Sequence, residues 1–111
     1  GLKYDENIKQ LQKSKCLIDI RFDYHQGLSF RFFEALYYKK KLITNNESVK
    51  KYDFYNDNNI FITDFENLDG IEEFLNKPYV EIDQKIVEKY GFSNWSRYIF
   101  GIEPYQEIIL P

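Results

Sequence analysis

Two rhythms of apolar positions alternate along this chain. Cys16-Leu17-Ile18-Asp19-Ile20, Lys41-Leu42-Ile43-Thr44 and Ile60-Phe61-Ile62 are short, nearly continuous β-prone runs. Continuous apolar character is what strands covered on both faces show, so the runs predict strands of a parallel sheet. Between them lie stripes at helical spacing. Residues 5–13 predict a helix capped by Asp5, with Ile8 and Leu11 on one face and Lys9, Gln10 and Lys13 on the other. Residues 29–38 predict a helix so apolar that it is expected to be buried.

Asn46 is placed to cap a short helix over 47–51, followed by a polar, Asn-rich loop over 52–59 whose side chains are expected to bond locally. Asp69 is the expected N-cap of a helix carrying Ile71, Phe74 and Leu75, which Pro78 ends. Asp83 opens a further helix over 84–90 with Ile86 and Val87 inward, and Gly91 stops it at C′. Ser93 opens the last helix, over 94–100, where Trp95, Tyr98 and Ile99 are expected to pack. The tail over 102–111 has no assignable pattern. The order αβαβαβααα predicts the α/β class: a small three-stranded parallel sheet with flanking helices, half of a Rossmann-like domain, and a helical C-terminus. Its open edge invites self-association or pairing with other sequence.

A hydrophobic fraction of 43% over 111 residues suits a single domain, 1–111. Ten Phe and ten Tyr imply a core built largely from rings. The formal net charge of −3 gives no reason to expect nucleic acid as partner. The Lys39-Lys40-Lys41 run is expected to cap the negative end of the helix before it. One cysteine, Cys16, excludes an internal disulfide and fits a reducing compartment, with the thiol in the core. With no apolar run of membrane-spanning length and no secretion signal, the expected location is cytoplasmic. Gly1 in place of Met suggests processing or a piece of a longer protein.

Candidate chemistry concentrates between Asp23 and Leu36. Gly27 permits close backbone approach, Ser29 suits an N-cap, and the N–H groups of Leu28, Ser29 and Phe30 sit at the positive end of a helix, a ready anion site. Arg31 and Glu34, at i, i+3, share a face. Either they form a surface ion pair or Arg31 simply reaches solvent, or else they wall a cleft in which Arg31 meets an anion and Glu34 accepts hydrogen bonds from hydroxyls. His25 has the character of an ordinary loop residue, and no His or Cys spacing suits a metal, so none is expected. Glu72 and Glu73 point apart on a solvated face, whereas Asp19 and Asp23 stand where a strand ends. Among Tyr24, Tyr37, Tyr38, Tyr52, Phe54 and Tyr55, the helical rings suit a core. Those of 52–55 make the better sugar platform.

Gln26-Gly27-Leu28-Ser29, Arg31, Glu34-Ala35-Leu36, Lys40-Lys41-Leu42-Ile43-Thr44-Asn45-Asn46 and Tyr52-Asp53-Phe54-Tyr55 together resemble the C-terminal part of bacterial polysaccharide-biosynthesis proteins. Those are glycosyltransferase-like enzymes of lipopolysaccharide and capsule clusters, related to the GT-B superfamily. The resemblance implies a nucleotide-sugar donor as partner, with Glu34 on the ribose hydroxyls and the turn Gly27-Leu28-Ser29 on the diphosphate. It also puts Gln26 on the donor sugar, in place of the family's acid, and lets Arg31 add to the diphosphate site. It implies no metal, a saccharide acceptor held by a second domain, a peripheral place at the inner membrane for the longer protein, and no transfer by this chain alone. A non-catalytic interaction module of the same half-Rossmann fold is the alternative. A receiver-type phosphate regulator is disfavoured, because the acidic cluster at its first strand end is missing.

Overall fold

Three parallel strands, β1 (Leu17–Asp19), β2 (Leu42–Thr44) and β3 (Ile60–Ile62), lie side by side in chain order. The structure is a computed structural model that describes residues 16–21 and 27–111. The helix expected over 5–13 lies outside the described residues. In register, Leu17 pairs with Leu42 and Leu42 with Ile60, while Asp19 pairs with Thr44 and Thr44 with Ile62. Parallel neighbours need crossover connections. Helix α1 (Phe30–Tyr37) makes the first, and a 3₁₀ helix (Glu47–Lys51) sits in the second. Helices α2 (Ile71–Asn76), α3 (Gln84–Lys89) and α4 (Phe92–Phe100) follow β3. This is the α/β architecture expected, with a helical C-terminus.

Successive strand residues point to opposite faces, so strands of three residues serve two cores. Leu17, Leu42, Ile60 and Ile62 pack with Phe32, Ala35, Leu36, Val49 and Phe54 beneath α1. Cys16, Ile43 and Phe61 pack on the other face with Leu68, Ile71 and Phe74 of the α2 side. All three residues of central β2 are buried.

Helix α1 is amphipathic, not buried throughout. Phe32, Ala35 and Leu36 face the sheet, while Phe30, Tyr37 and Tyr38 are 79%, 63% and 64% exposed. Apolar composition marked the helix correctly but not the number of sides that would be covered. The backbone closes its C-terminus: the Lys40 N–H donates to the Ala35 carbonyl at 2.9 Å and the Lys39 N–H to that of Leu36 at 3.4 Å. This is a Schellman turn, with Lys39 in the left-handed region at φ 55°. The lysine run therefore does not cap α1 through its ammonium groups. Lys41 Nζ instead donates to the Phe74 carbonyl in the last turn of α2 and lies 4.4 Å over the Phe74 ring. Lys39 pairs with Glu81 at 3.1 Å, in solvent.

Helix α2 starts after Gly70 at φ 86°, so Gly70 and not Asp69 holds the N-cap position. The Asn-rich loop reaches further than expected. Asn56 Oδ1 accepts locally from the Asn58 N–H at 2.8 Å. Asn58 Nδ2, however, donates to the Pro78 carbonyl at 2.7 Å. Buried Asn59 donates to the Val80 carbonyl at 2.7 Å and accepts from the Val80 N–H at 2.8 Å, so its side-chain amide pairs with backbone as a strand would.

Helices α3 and α4 hold no buried residue. Tyr90, just after α3, stacks on Phe33 at 5.6 Å and meets Phe54 edge-on at 5.2 Å. Asp53 accepts hydrogen bonds from Lys89 Nζ and, at 2.7 Å, from Tyr90 Oη. Gly91 follows α3 as expected, yet at φ −76° it is also the N-cap of α4, which begins at Phe92 rather than after Ser93. Trp95 stacks on Phe92 at 6.1 Å, yet it and Ile99 remain 50% and 56% exposed rather than covered by another element. Tyr98 packs on Tyr105 at 5.8 Å. The tail folds back over the two helices: the Gln106 N–H donates to Asn94 Oδ1 at 2.6 Å and Asn94 Nδ2 to the Gln106 carbonyl at 3.0 Å. Among the described residues, no helix is long and apolar enough to cross a membrane.

Candidate functional site at the strand ends

The last residues of β1 and β2, Asp19 and Thr44, sit side by side at the C-terminal edge of the sheet. Both are buried, and a buried carboxylate needs hydrogen-bond donors. Two hydroxyls supply them: Ser29 Oγ donates to Asp19 Oδ1 at 2.6 Å and Thr44 Oγ1 to Asp19 Oδ2 at 3.1 Å. Thr44 Oγ1 in turn accepts from the Asn46 N–H at 3.0 Å. Buried Asn46 extends the network, donating from Nδ2 to the Gly27 carbonyl at 3.2 Å and accepting at Oδ1 from the Ser48 N–H at 3.1 Å and Ser48 Oγ at 2.6 Å. Asn45 exchanges two bonds with Arg21, accepting from its N–H at 2.7 Å and donating to its carbonyl at 2.8 Å. No buried side-chain polar atom is left unsatisfied among the described residues.

The turn Gly27-Leu28-Ser29 is therefore fastened to the strand ends by its first carbonyl and its last hydroxyl, with Leu28 packed against the α1-side core between them. Ser29 occupies the N-cap position of α1 as expected, at φ −74° and ψ 165°, but its side chain does not cap. Its hydroxyl is engaged by Asp19, which leaves the Phe30 and Arg31 N–H groups at the start of α1 without a side-chain cap, while the Phe32 N–H donates to the Ser29 carbonyl at 3.2 Å.

Glu34 is half-buried and Arg31 exposed on the outer side of α1. They form no ion pair with each other, and Arg31 reaches solvent, the plainer of the expectations for it. Gln26 lies outside the described residues, as do Asp23, Tyr24 and His25. Gly27, Leu28 and Ser29 are thus brought together at the strand ends, with Arg31 and Glu34 following along the same helix.

The aromatic expectations are reversed. Phe54 is buried, Tyr52 lies 5.4 Å from it, and both belong with half-buried Tyr55 to the α1-side core, so residues 52–55 form no sugar platform. Burial pushes the hydroxyl pKa values of Tyr52 and Tyr55 up. Helical Tyr37 and Tyr38 are the exposed pair, edge-to-face at 5.1 Å. Cys16 packs on the α2 side as a core residue, its thiol donating to the Lys41 carbonyl at 3.1 Å. Burial, against the pull of Lys41, raises that thiol to about 11, which keeps it protonated and unreactive. Glu72 and Glu73 are exposed, Glu73 reaching Lys77 at 3.5 Å.

Sequence reasoning missed Thr44, Asn45 and Asn46 as supports of the turn. The available signal was an acid inside an otherwise apolar strand run, opposite a strand that ends in Thr-Asn-Asn. No family model, curated protein or solved structure matches the chain.

Proposed function

We propose that this chain is the nucleotide-sugar donor-binding part of a glycosyltransferase of cell-surface polysaccharide synthesis, of the lipopolysaccharide or capsule kind. One observation carries the reading: Gly27, Leu28 and Ser29 form a fastened turn at the strand ends and the N-terminus of α1. Ligands of open parallel sheets bind at that edge. Outward N–H groups of Leu28, Ser29 and Phe30 hold the diphosphate. The Asp19 carboxylate, 2.6 Å from Ser29 Oγ, repels a second anion directly over the turn, so the diphosphate is placed toward exposed Arg31. Glu34, the acid further along α1, accepts the ribose hydroxyls, and Gln26 meets the sugar. The acceptor saccharide belongs to a second domain, and transfer needs both.

The test is a thermal-shift and NMR titration with UDP, GDP and their sugars. Shifts confined to residues 27–34 and lost in Glu34→Ala, with the spectrum otherwise unchanged, are the expected result. A Glu34→Ala chain that binds like its parent removes Glu34 from the site. No response at several millimolar favours the second reading, a non-catalytic interaction module, for which the exposed Phe92, Trp95 and Phe100 of α4 are the specific observation.

A further inference from the structure

Away from the strand ends, α3, α4 and the returning tail enclose an open groove of about 430 Å³, with Tyr37 of α1 at its side. That volume falls in the range of small-molecule sites, ~300–1,000 Å³. Tyr37 is the last residue of α1, and eight residues at ~1.5 Å each separate it from the end of the Gly27-Leu28-Ser29 turn by about 12 Å along the helix. The two places are distinct.

The groove has a fixed wall. Asn94 and Gln106 exchange two hydrogen bonds, and Gln106 Nε2 donates to the Lys85 carbonyl at 3.0 Å. Those bonds hold Pro104 and Tyr105 opposite α3. Facing that wall are side chains that carry no structural bond to one another. Gln84 and Glu88 lie one turn apart on α3, and Ser93 and Arg97 one turn apart on α4. Arg97 has one weak contact, from Nη1 to the Pro104 carbonyl at 3.5 Å. Tyr37 and Tyr105, 63% and 42% exposed, supply ring faces.

We propose that this groove binds a neutral saccharide. The lining places an amide, a carboxylate, a hydroxyl and a guanidinium around one opening, so it offers both donors and acceptors. A sugar hydroxyl both donates and accepts, so a polyhydroxylated ring satisfies such a lining where a simple anion does not. The charges of Arg97 and Glu88 cancel, which disfavours phosphate; a phosphate site needs converging cations. The tyrosine faces offer apolar surface to the C–H side of a pyranose while their hydroxyls stay wet. The proposal stands apart from the donor reading, because none of the groove residues belongs to the Gly27-Leu28-Ser29 turn or is one of the donor-site residues Arg31 and Glu34.

The experiment is an NMR titration of the whole chain with maltotriose, cellotriose and N-acetylchitotriose, with inorganic phosphate and UDP as separate arms. At least one trisaccharide is expected to shift Gln84, Glu88, Ser93 and Arg97 with a millimolar dissociation constant, leaving residues 27–34 unmoved. Tyr37→Ala and Arg97→Ala, both at exposed positions, are each expected to weaken it about tenfold without altering the rest of the spectrum. Silence from all three trisaccharides at tens of millimolar overturns the proposal. So do shifts that survive both substitutions, or a response at Arg97 to phosphate alone. UDP shifts at residues 27–34 bear on the donor site only, so the two readings fail separately.

Discussion

The part of the chain up to Phe74 and the part from Gln84 onward are built on different principles. Among the described residues every buried side chain lies between Asp19 and Phe74, while α3, α4 and the tail contribute none. The first region is held by side chains interdigitated on both faces of a sheet. The second, with the segment leading into it from Val80, is attached more lightly. Half-buried Ile82, Ile86, Val87 and Tyr90 lean on the α1-side core, as expected for Ile86 and Val87. Asn59 pairs with Val80, and Asp53 bonds Lys89 and Tyr90. Apolar content alone does not decide which construction a segment uses, since α4 is as rich in rings as α1. What decides is whether the topology brings a second apolar surface against it. Regions held by few contacts open at lower free energy than the core they attach to.

The sharpest way to break this contrast is a pair of ring deletions. Phe32→Ala, at a position 1% exposed, is expected to cost ~3–5 kcal/mol in urea unfolding. Trp95→Ala, at 50% exposure, is expected to stay within about 0.5 kcal/mol. Equal costs would mean that α4 belongs to the core. Next in size, Asn59→Ala removes both bonds to Val80 and is expected to cost ~1–3 kcal/mol. Its added signature is faster amide exchange in α3 and α4 than in β2; uniform acceleration would show that the two regions open together.

The smallest effect is a pH dependence. Burial tends to raise the Asp53 pKa, but the hydrogen bonds from Lys89 and Tyr90 and the Lys89 charge outweigh it and hold the carboxyl below its ordinary value. A pKa lowered by folding means that the attachment is fully present above the ordinary carboxylate range and is lost as pH falls through the lowered value. The partners are partly in solvent, so less than about 1 kcal/mol is at stake. The protection factors of α3 amides, with the intrinsic pH dependence of exchange divided out, are expected to fall on acidification in the parent chain and to lose that dependence in Asp53→Asn. An unchanged pH profile in the variant would assign the effect elsewhere.

The sheet was legible because short β-branched runs have one good interpretation, and Ile60-Phe61-Ile62 became a strand over the residues expected. Helices α1 to α3 were legible from spacing and stop signals such as Pro78. Coverage was not. Period 3.6 states which side chains share a face, not whether anything lies against it, so Tyr37 was expected inside and Tyr52 outside, the reverse of what folded. Long-range polar partners were equally hidden. Ser29, Asn58 and Asn59 all carry strong local turn or cap propensities, yet each bonds across the fold, because burial gave the distant partner a larger advantage than the local one. The turn of the candidate site was legible at Gly27; the three residues of β2's end that hold it were not.

The consecutive asparagines after β2 have a consequence for how this molecule can vary. Asn45 grips the backbone of Arg21 from both sides, and Asn46 grips the carbonyl of Gly27. The positions of Arg21 and Gly27 are therefore set by residues that follow a neighbouring strand rather than by the sequence between them. Two anchors held in that way act as a socket: exchange of the residues between them, by evolution or by grafting, leaves the bonds that fix the frame in place.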